Sequence, residues 1–252
     1  VDSKEGKVDG AWELADNLME VRLRPLESQR KLVLTVDAGL RALNDQRLAA
    51  EHVTRLETRD LQASVGFASR GSVLPTRLAE GLPVIALNVD KVNVEFFRIK
   101  PESLPAFLNR WGRSSNLDTW ESRSLLPMAE LVYGGRFDLN PARNTRETLL
   151  LPIAGLAPFK QPGVYLAVMR EAGSYNYSQP ATLFTLSDIG LSARRYQNRM
   201  DVFTQALAGG DALADVRLEI LDGEGQVLAE GETDRAGHAE LPLPDKAEVL
   251  LA

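Results

Sequence analysis

The chain has 252 residues, 44% of them hydrophobic and 25% charged, with a formal net charge of -6. That length suits two or three domains of ~100 residues each, and the composition excludes a wholly disordered chain. No run approaches the ~20 apolar residues of a membrane span, and the acidic balance argues against a nucleic-acid or anionic-lipid surface. Cysteine is absent, which removes disulfides, thiolate metal sites and cysteine nucleophiles together. The chain opens on Val1-Asp2-Ser3-Lys4 with no signal-like apolar stretch and stops inside the apolar run Glu248–Ala252, so it reads as a piece of a longer protein.

Alternation of apolar and polar residues dominates from the start. Met19, Val21 and Leu23 alternate with Glu20, Arg22 and Arg24; Leu32, Leu34 and Val36 form a second set; Leu61, Ala63, Val65 and Phe67 form a third. A period of two is that of strands with one buried face, as in antiparallel sheets. Asn44-Asp45-Gln46 reads as a turn. Glycine and proline then cluster from Arg70 to Pro83, which places a domain boundary near residues 78–82. From Val84 to Ile99 the apolar phase changes: Ile85, Leu87 and Val89 share one parity, and Val92, Val94 and Phe96 the other. A one-residue slip would move every side chain to the wrong face, so a turn or bulge is expected near Asp90-Lys91.

Leu104, Phe107, Leu108 and Trp111 fall at i, i+3, i+4 and i+7, a single helical stripe, with Pro101 and Pro105 where a helix start tolerates them. A second short helix is expected from Leu125 to Val132, ended by Gly134-Gly135. Strands are expected at Glu147–Leu151, around Val164, Leu166 and Val168, and at Thr182–Leu186, with a second boundary at Ser187-Asp188. Beyond it come Asp201–Leu207, then Val216, Leu218 and Ile220, the turn Asp222-Gly-Glu-Gly225, Gln226–Ala229, the turn Thr233–Gly237 and Ala239–Leu241. Strands spaced by turn signals at ~8–12 residues describe β-sandwiches. The expectation is an all-β chain of tandem antiparallel sandwiches at residues 1–79, 80–187 and 188–252, with a short helical insertion in the second and the last strands missing from the third.

Residues with chemistry are few. His52 and His238 are the only histidines, each read as a surface side chain, and their spacing matches no zinc site. No Gly-x-Ser-x-Gly elbow exists, because Phe67 stands two residues before Ser69. Asp222-Gly-Glu-Gly225 lacks the spaced ligands of a calcium loop and reads as a hairpin turn; as a dinucleotide fingerprint it fails at Leu228. No catalytic, cofactor-binding or metal-ligating residue is assigned, and no cofactor is expected. Arg194, Arg195 and Arg199 cluster around Tyr196, a pattern read as a solvated strand edge or interdomain contact in preference to a phosphate or base site. Trp111 belongs to the helical stripe, and Trp120, in a polar stretch, is the better candidate for an exposed anchor.

Leu82-Pro-Val-Ile-Ala-Leu-Asn-Val-Asp90, with Lys91-Val-Asn-Val-Glu-Phe-Phe-Arg-Ile99, resembles the opening of a macroglobulin-like domain in bacterial alpha-2-macroglobulins, and Phe137-Asp-Leu-Asn-Pro-Ala-Arg-Asn-Thr-Arg146 continues the match. Pro162–Leu166 and Ala181–Leu191 resemble the end of that domain and the entry to the next. Asp215–Gly223 with Thr233–Gly237 is similar to the following domain, and Val36–Leu43 to a preceding one. The resemblance implies a broad-range endopeptidase inhibitor: a protease cuts a bait segment, the stacked domains collapse, and the enzyme is enclosed. Many members add a Cys-Gly-Glu-Gln thioester. A chain without cysteine cannot hold it, and no bait region is found, so a non-catalytic scaffold piece is expected. The resemblance further implies a periplasmic lipoprotein tethered to the inner membrane, with target proteases and a peptidoglycan-synthesising penicillin-binding protein as partners. The rival reading is a tandem Ig-like adhesion module binding protein or glycan, which would need an exposed aromatic platform, for instance Trp120, Tyr175 and Tyr177.

Overall fold

A computed structural model describes residues 11–17, 20–24, 26–42, 44–68, 72–74, 81–112, 114–118, 121 and 124–252. Met19, Leu43, the Ser69–Gly71 stretch, residues 78–80 of the expected boundary and Trp120 lie outside them. The chain forms two compact units, Val1–Gln62 and Ala63–Ala252.

The first unit contains two antiparallel hairpins. Strand β1 (Ala11–Leu14) pairs with β2 (Val21–Arg24), and β3 (Lys31–Val36) pairs with β4 (His52–Glu57) from Lys31↔Glu57 to Val36↔His52. The alternation read from the sequence is visible in β3, where Leu32, Leu34 and Val36 are half-buried and the residues between them exposed. Among the described residues of this unit none is fully buried.

The second unit begins with β5 (Ser64–Phe67), β6 (Ser72–Leu74), β7 (Leu82–Leu87) and β8 (Lys91–Ile99). Strand β5 lies before the expected break near residue 80, yet it pairs with β7 beyond it, from Ser64↔Leu87 to Phe67↔Val84. After β8 come helix α1 (Leu104–Trp111), β9 (Asn116–Asp118), β10 (Ala129–Asp138), β11 (Glu147–Leu151), β12 (Gly163–Glu171) and β13 (Ser178–Leu186). One sheet runs β11-β7-β5 and a larger one runs β10-β8-β12-β13-β6, with β9 against β13.

The phase change at Asp90-Lys91 is a corner between these sheets: β7 ends in one and β8 begins in the other. The expected change of direction is there, as a turn that carries the chain from one sheet to the other. Asn88 turns the chain in the left-handed region (φ 53°), and its amide group bonds Asn144 twice: Nδ2 donates to Asn144 Oδ1 (3.0 Å) and Oδ1 accepts the Asn144 N–H (2.7 Å). Asparagine tolerates that backbone region better than most residues.

The large sheet is buried on both faces. On one side Val92, Val94, Phe96, Tyr165, Met169 and Phe184 pack against Val84, Ala86 and Leu151 of the smaller sheet. On the other, Phe97, Ile99, Leu166 and Val168 pack against Leu104, Phe107 and Trp111 of α1. The apolar stripe of α1 therefore closes a third layer, as its spacing predicts.

The second expected helix is absent. Met128 and Ala129 both donate to the Leu125 carbonyl (2.9 Å each), one turn only, and Leu131 and Val132 already belong to β10. Nine rungs of pairing between β10 and β8 override the local helical preference. Gly134 and Gly135 sit inside the strand instead of ending a helix; a Cβ on Gly135 would stand 2.8 Å from the Tyr133 ring.

The remaining block contains β14 (Ile189–Arg195), β15 (Arg199–Ala206), β16 (Arg217–Leu221), β17 (Val227–Glu232), β18 (His238–Pro242) and β19 (Val249–Leu251). Sheets β14-β15-β18 and β17-β16-β19 enclose Val202, Leu218, Ile220, Ala239 and Leu241. The chain is all-β apart from its short helical elements, in several nearly wholly antiparallel sheets, as the sequence reading holds.

Candidate functional surfaces

The sequence-selected residues lie far apart in role. His52 is exposed at the start of β4, its Nε2 2.9 Å from Thr54 Oγ1. His238 heads β18 with its ring 4.8 Å from that of Phe203 and its Nε2 3.5 Å from Asp201 Oδ1. Among the described residues neither has a serine or threonine and a carboxylate arranged as nucleophile and orienter around it. Among the described residues no three His, Asp or Glu side chains gather where a metal ion could bind.

The two acidic turns use their carboxylates on their own backbones. Asp222 Oδ1 accepts N–H groups from Glu224 and Gln226 (2.9 Å each), and Asp234 Oδ1 accepts those of Ala236 (2.8 Å) and His238 (3.0 Å). These two amides hold the Asp234 carboxyl below the ordinary carboxylate value. Such Asx turns are what the Asp-x-x-Gly spacing asks for. An apolar recess of about 260 Å³ opens beside α1 between Leu104, Leu108, Val164 and Leu183, and among the described residues no titratable side chain lines it.

Trp111 is 2% exposed and packs on Phe107 (5.2 Å), with the Arg110 guanidinium 4.5 Å from its ring. It is core, as the stripe predicts. Tyr175 and Tyr177 stand 81% and 60% exposed in the β12–β13 connection. The Tyr177 hydroxyl donates to Asp118 Oδ2 (3.3 Å), and that negative charge raises the phenol's pKa.

One arrangement escaped sequence reading: the joint between α1 and the last block. In β19, Leu250 faces the core of its own block while Val249 and Leu251 pack on the α1 layer. Asn109 Nδ2 donates to Glu248 Oε2 (2.6 Å). Gly225 comes so close to the Glu102 carbonyl that a Cβ there would run into the oxygen. The only trace in the sequence is the unbroken apolar run Val249-Leu250-Leu251, since a strand buried on both faces loses its alternation. The joint couples two cores through one strand.

Three family descriptions tile the chain: "Bacterial Alpha-2-macroglobulin MG1 domain" over residues 1–60, "Bacterial alpha-2 macroglobulin MG2 domain" over 66–184 and "Bacterial alpha-2-macroglobulin MG3 domain" over 186–252. Alpha-2-macroglobulin of Escherichia coli K12 is 56% identical over all 252 residues, which span 15% of that protein's length. A solved Salmonella alpha-2-macroglobulin reacted with methylamine is 51% identical, with a TM-score of 0.75, covering 99% of this chain and 15% of its own. A trypsin-activated Escherichia coli alpha-2-macroglobulin is 58% identical with a TM-score of 0.68, over 75% of this chain and 13% of its own. With three successive domain matches and a relative 56% identical over all 252 residues, the chain belongs to the bacterial alpha-2-macroglobulin family.

Proposed function

We propose that this chain is a non-catalytic scaffold segment of a broad-range endopeptidase inhibitor that encloses its target protease by domain collapse after bait cleavage. The supporting observation is the run of three macroglobulin domain matches in series, on a chain whose second and third blocks share a strand-mediated joint. In this reading the segment transmits motion and presents docking surfaces. Target proteases are the partners of the whole protein; that a relative is described as trypsin-activated supports this class. By family resemblance the whole protein works in the periplasm, as a lipoprotein on the inner membrane beside a penicillin-binding protein, in defence against foreign proteases.

The test is stoichiometric. The 252-residue chain mixed with trypsin leaves casein digestion unprotected, whereas the longer parent protects it at equimolar amounts and shows one bait cut. Protection by the chain alone, or hydrolysis of ester and glycoside probes by it, defeats the reading. Fractionation of cells expressing the tagged parent tests the location, and recovery in the cytosol would reject it. The exposure of Tyr175 and Tyr177 favours, as a second reading, an adhesion surface; specific retention on a glycan array would establish that.

A further inference from the structure

The face and edge of β14 form a pattern that the scaffold reading does not use. Strand β14 ends the sheet order β14-β15-β18, and among the described residues no strand pairs with its outer edge. From Leu191 to Arg195 every residue is exposed, on both faces. Register puts Ser192, Phe203 and His238 in one row on the outer face, and Arg194, Asp201 and Glu240 in the next. The Arg194 guanidinium lies 5.6 Å from the Phe203 ring, whose other neighbour is the His238 ring at 4.8 Å. The cation nearby is paired: Arg199 meets Glu240 (3.3 Å) and stacks on Tyr196 (4.9 Å); the His238 Nε2 lies 3.5 Å from Asp201 Oδ1. Arg194 and Arg195 have no carboxylate within 4.0 Å among the described residues, in a chain of net charge -6.

We propose that β14 is a docking edge for an extended acidic segment of a separate protein, added as a further strand with two adjacent carboxylates facing Arg194 and Arg195. Three physical features select this partner. Among the described residues that outer edge offers N–H and C=O groups with no strand partner, which is what strand addition uses. Successive residues of a strand point to opposite faces, so only adjacent acidic residues reach Arg194 on one face and Arg195 on the other. Stacking on Phe203 restrains the Arg194 fork before a ligand arrives, which favours planar, two-point recognition of a carboxylate over a point charge. Charges on an edge ordinarily deter a second chain; two arginines of one sign deter neutral and cationic strands and admit acidic ones. The proposal is independent of the trapping mechanism, because peptide binding is read without any protease.

The experiment uses the 252-residue chain and a fluorescent peptide of about eight valines and threonines carrying two adjacent glutamates, followed by anisotropy at low salt, where surface charge is least screened. Replacing both glutamates by glutamine, or separating them by one residue, is expected to weaken binding at least about tenfold. Arg194→Ala and Arg195→Ala each have the same effect, Arg194→Lys restores only part of it, and Arg194→Glu gains affinity for a lysine-bearing peptide. Amide exchange slows across Ile189–Arg195 when the peptide binds. Equal affinity for the glutamine peptide, binding without protection of β14, or variants that bind unchanged each overturn the proposal. So would two alternative occupants: Arg194-dependent retention on phosphatidylglycerol vesicles without peptide binding would mark a membrane surface, and an Arg194-dependent dimer in sedimentation would mark a second copy.

Discussion

In β3 the side chains of Leu32, Leu34 and Val36 are half-buried, whereas in β8 those of Val92, Val94 and Phe96 are completely buried. Both strands carry the same alternating code. The difference lies in what covers them: β3 belongs to a two-stranded sheet, while β8 is central in a sheet packed on one face by β7 and on the other by α1. A lone hairpin is marginal in water, and a strand gains most of its stability only when a second layer removes its apolar face from solvent. Periodicity therefore tells where a strand is, and the number of layers tells what it contributes.

The sharpest break in that comparison is Phe96→Ala. Phe96 meets Phe159 at 4.9 Å and Phe184 at 6.2 Å, both edge-on, and its removal leaves a cavity expected to cost about 3–5 kcal/mol in denaturant unfolding of the second unit. Leu34→Ala, at a half-buried position, is expected to cost less than about 1.5 kcal/mol. Equal losses at the two sites would mean that the two units are covered alike. Amide exchange orders them in the same way, with β3 and β4 exchanging before β8 and β12.

Next in size is the joint. Gly225→Ala places a Cβ against the Glu102 carbonyl at a residue with φ of +86°, and strain of that kind costs about 1–3 kcal/mol. The expected result is a thermal unfolding curve in which the β14–β19 block separates from its neighbour as an earlier transition. A single unshifted transition would show that β19 couples the blocks without help from the turn.

The smallest effects are in pH dependence. Burial pushes the Tyr165 phenol up, against a weaker downward pull from the Arg98 charge; its hydroxyl bonds the carbonyls of Gln161 (2.8 Å) and Pro158 (3.1 Å). A folded value above the ordinary 10.0 means the neutral phenol's contribution is complete below pH 10.0 and lost as pH climbs through the folded value. Tyr165→Phe should flatten that alkaline loss while costing about 1 kcal/mol at neutral pH. Asp234 has the opposite sign. Its depressed value gives a contribution present above pH 3.8 and lost as pH falls through the folded value, so Asp234→Asn should flatten the acid limb of a stability titration.

The strands legible in the sequence were those with one buried face, such as β3 and β16, because burial and exposure alternate there as the side chains do. The helix α1 was legible for the corresponding reason at a period of 3.6. The segment from Leu125 misled because Leu125, Ala129 and Val132 also fit a helical spacing, and only the nine-rung partner β8 decides between the two. The joint was hidden because Asn109 and Glu248 lie far apart in the chain and neither is unusual in its local context. Arg194, Arg195 and Tyr196 were visible as a cluster, but not the ring stack, since Phe203 and His238 join them only through strand register.

One pairing sets a schedule for the nascent chain. Strand β6 lies parallel to β13, with Leu74 opposite Leu186, more than a hundred positions later. Closing so distant a contact carries the loop entropy that makes non-local topologies slow. On the ribosome, β6 must wait with its partner edge unmade until the segment through Leu186 has emerged. That interval is when a chaperone would find the chain.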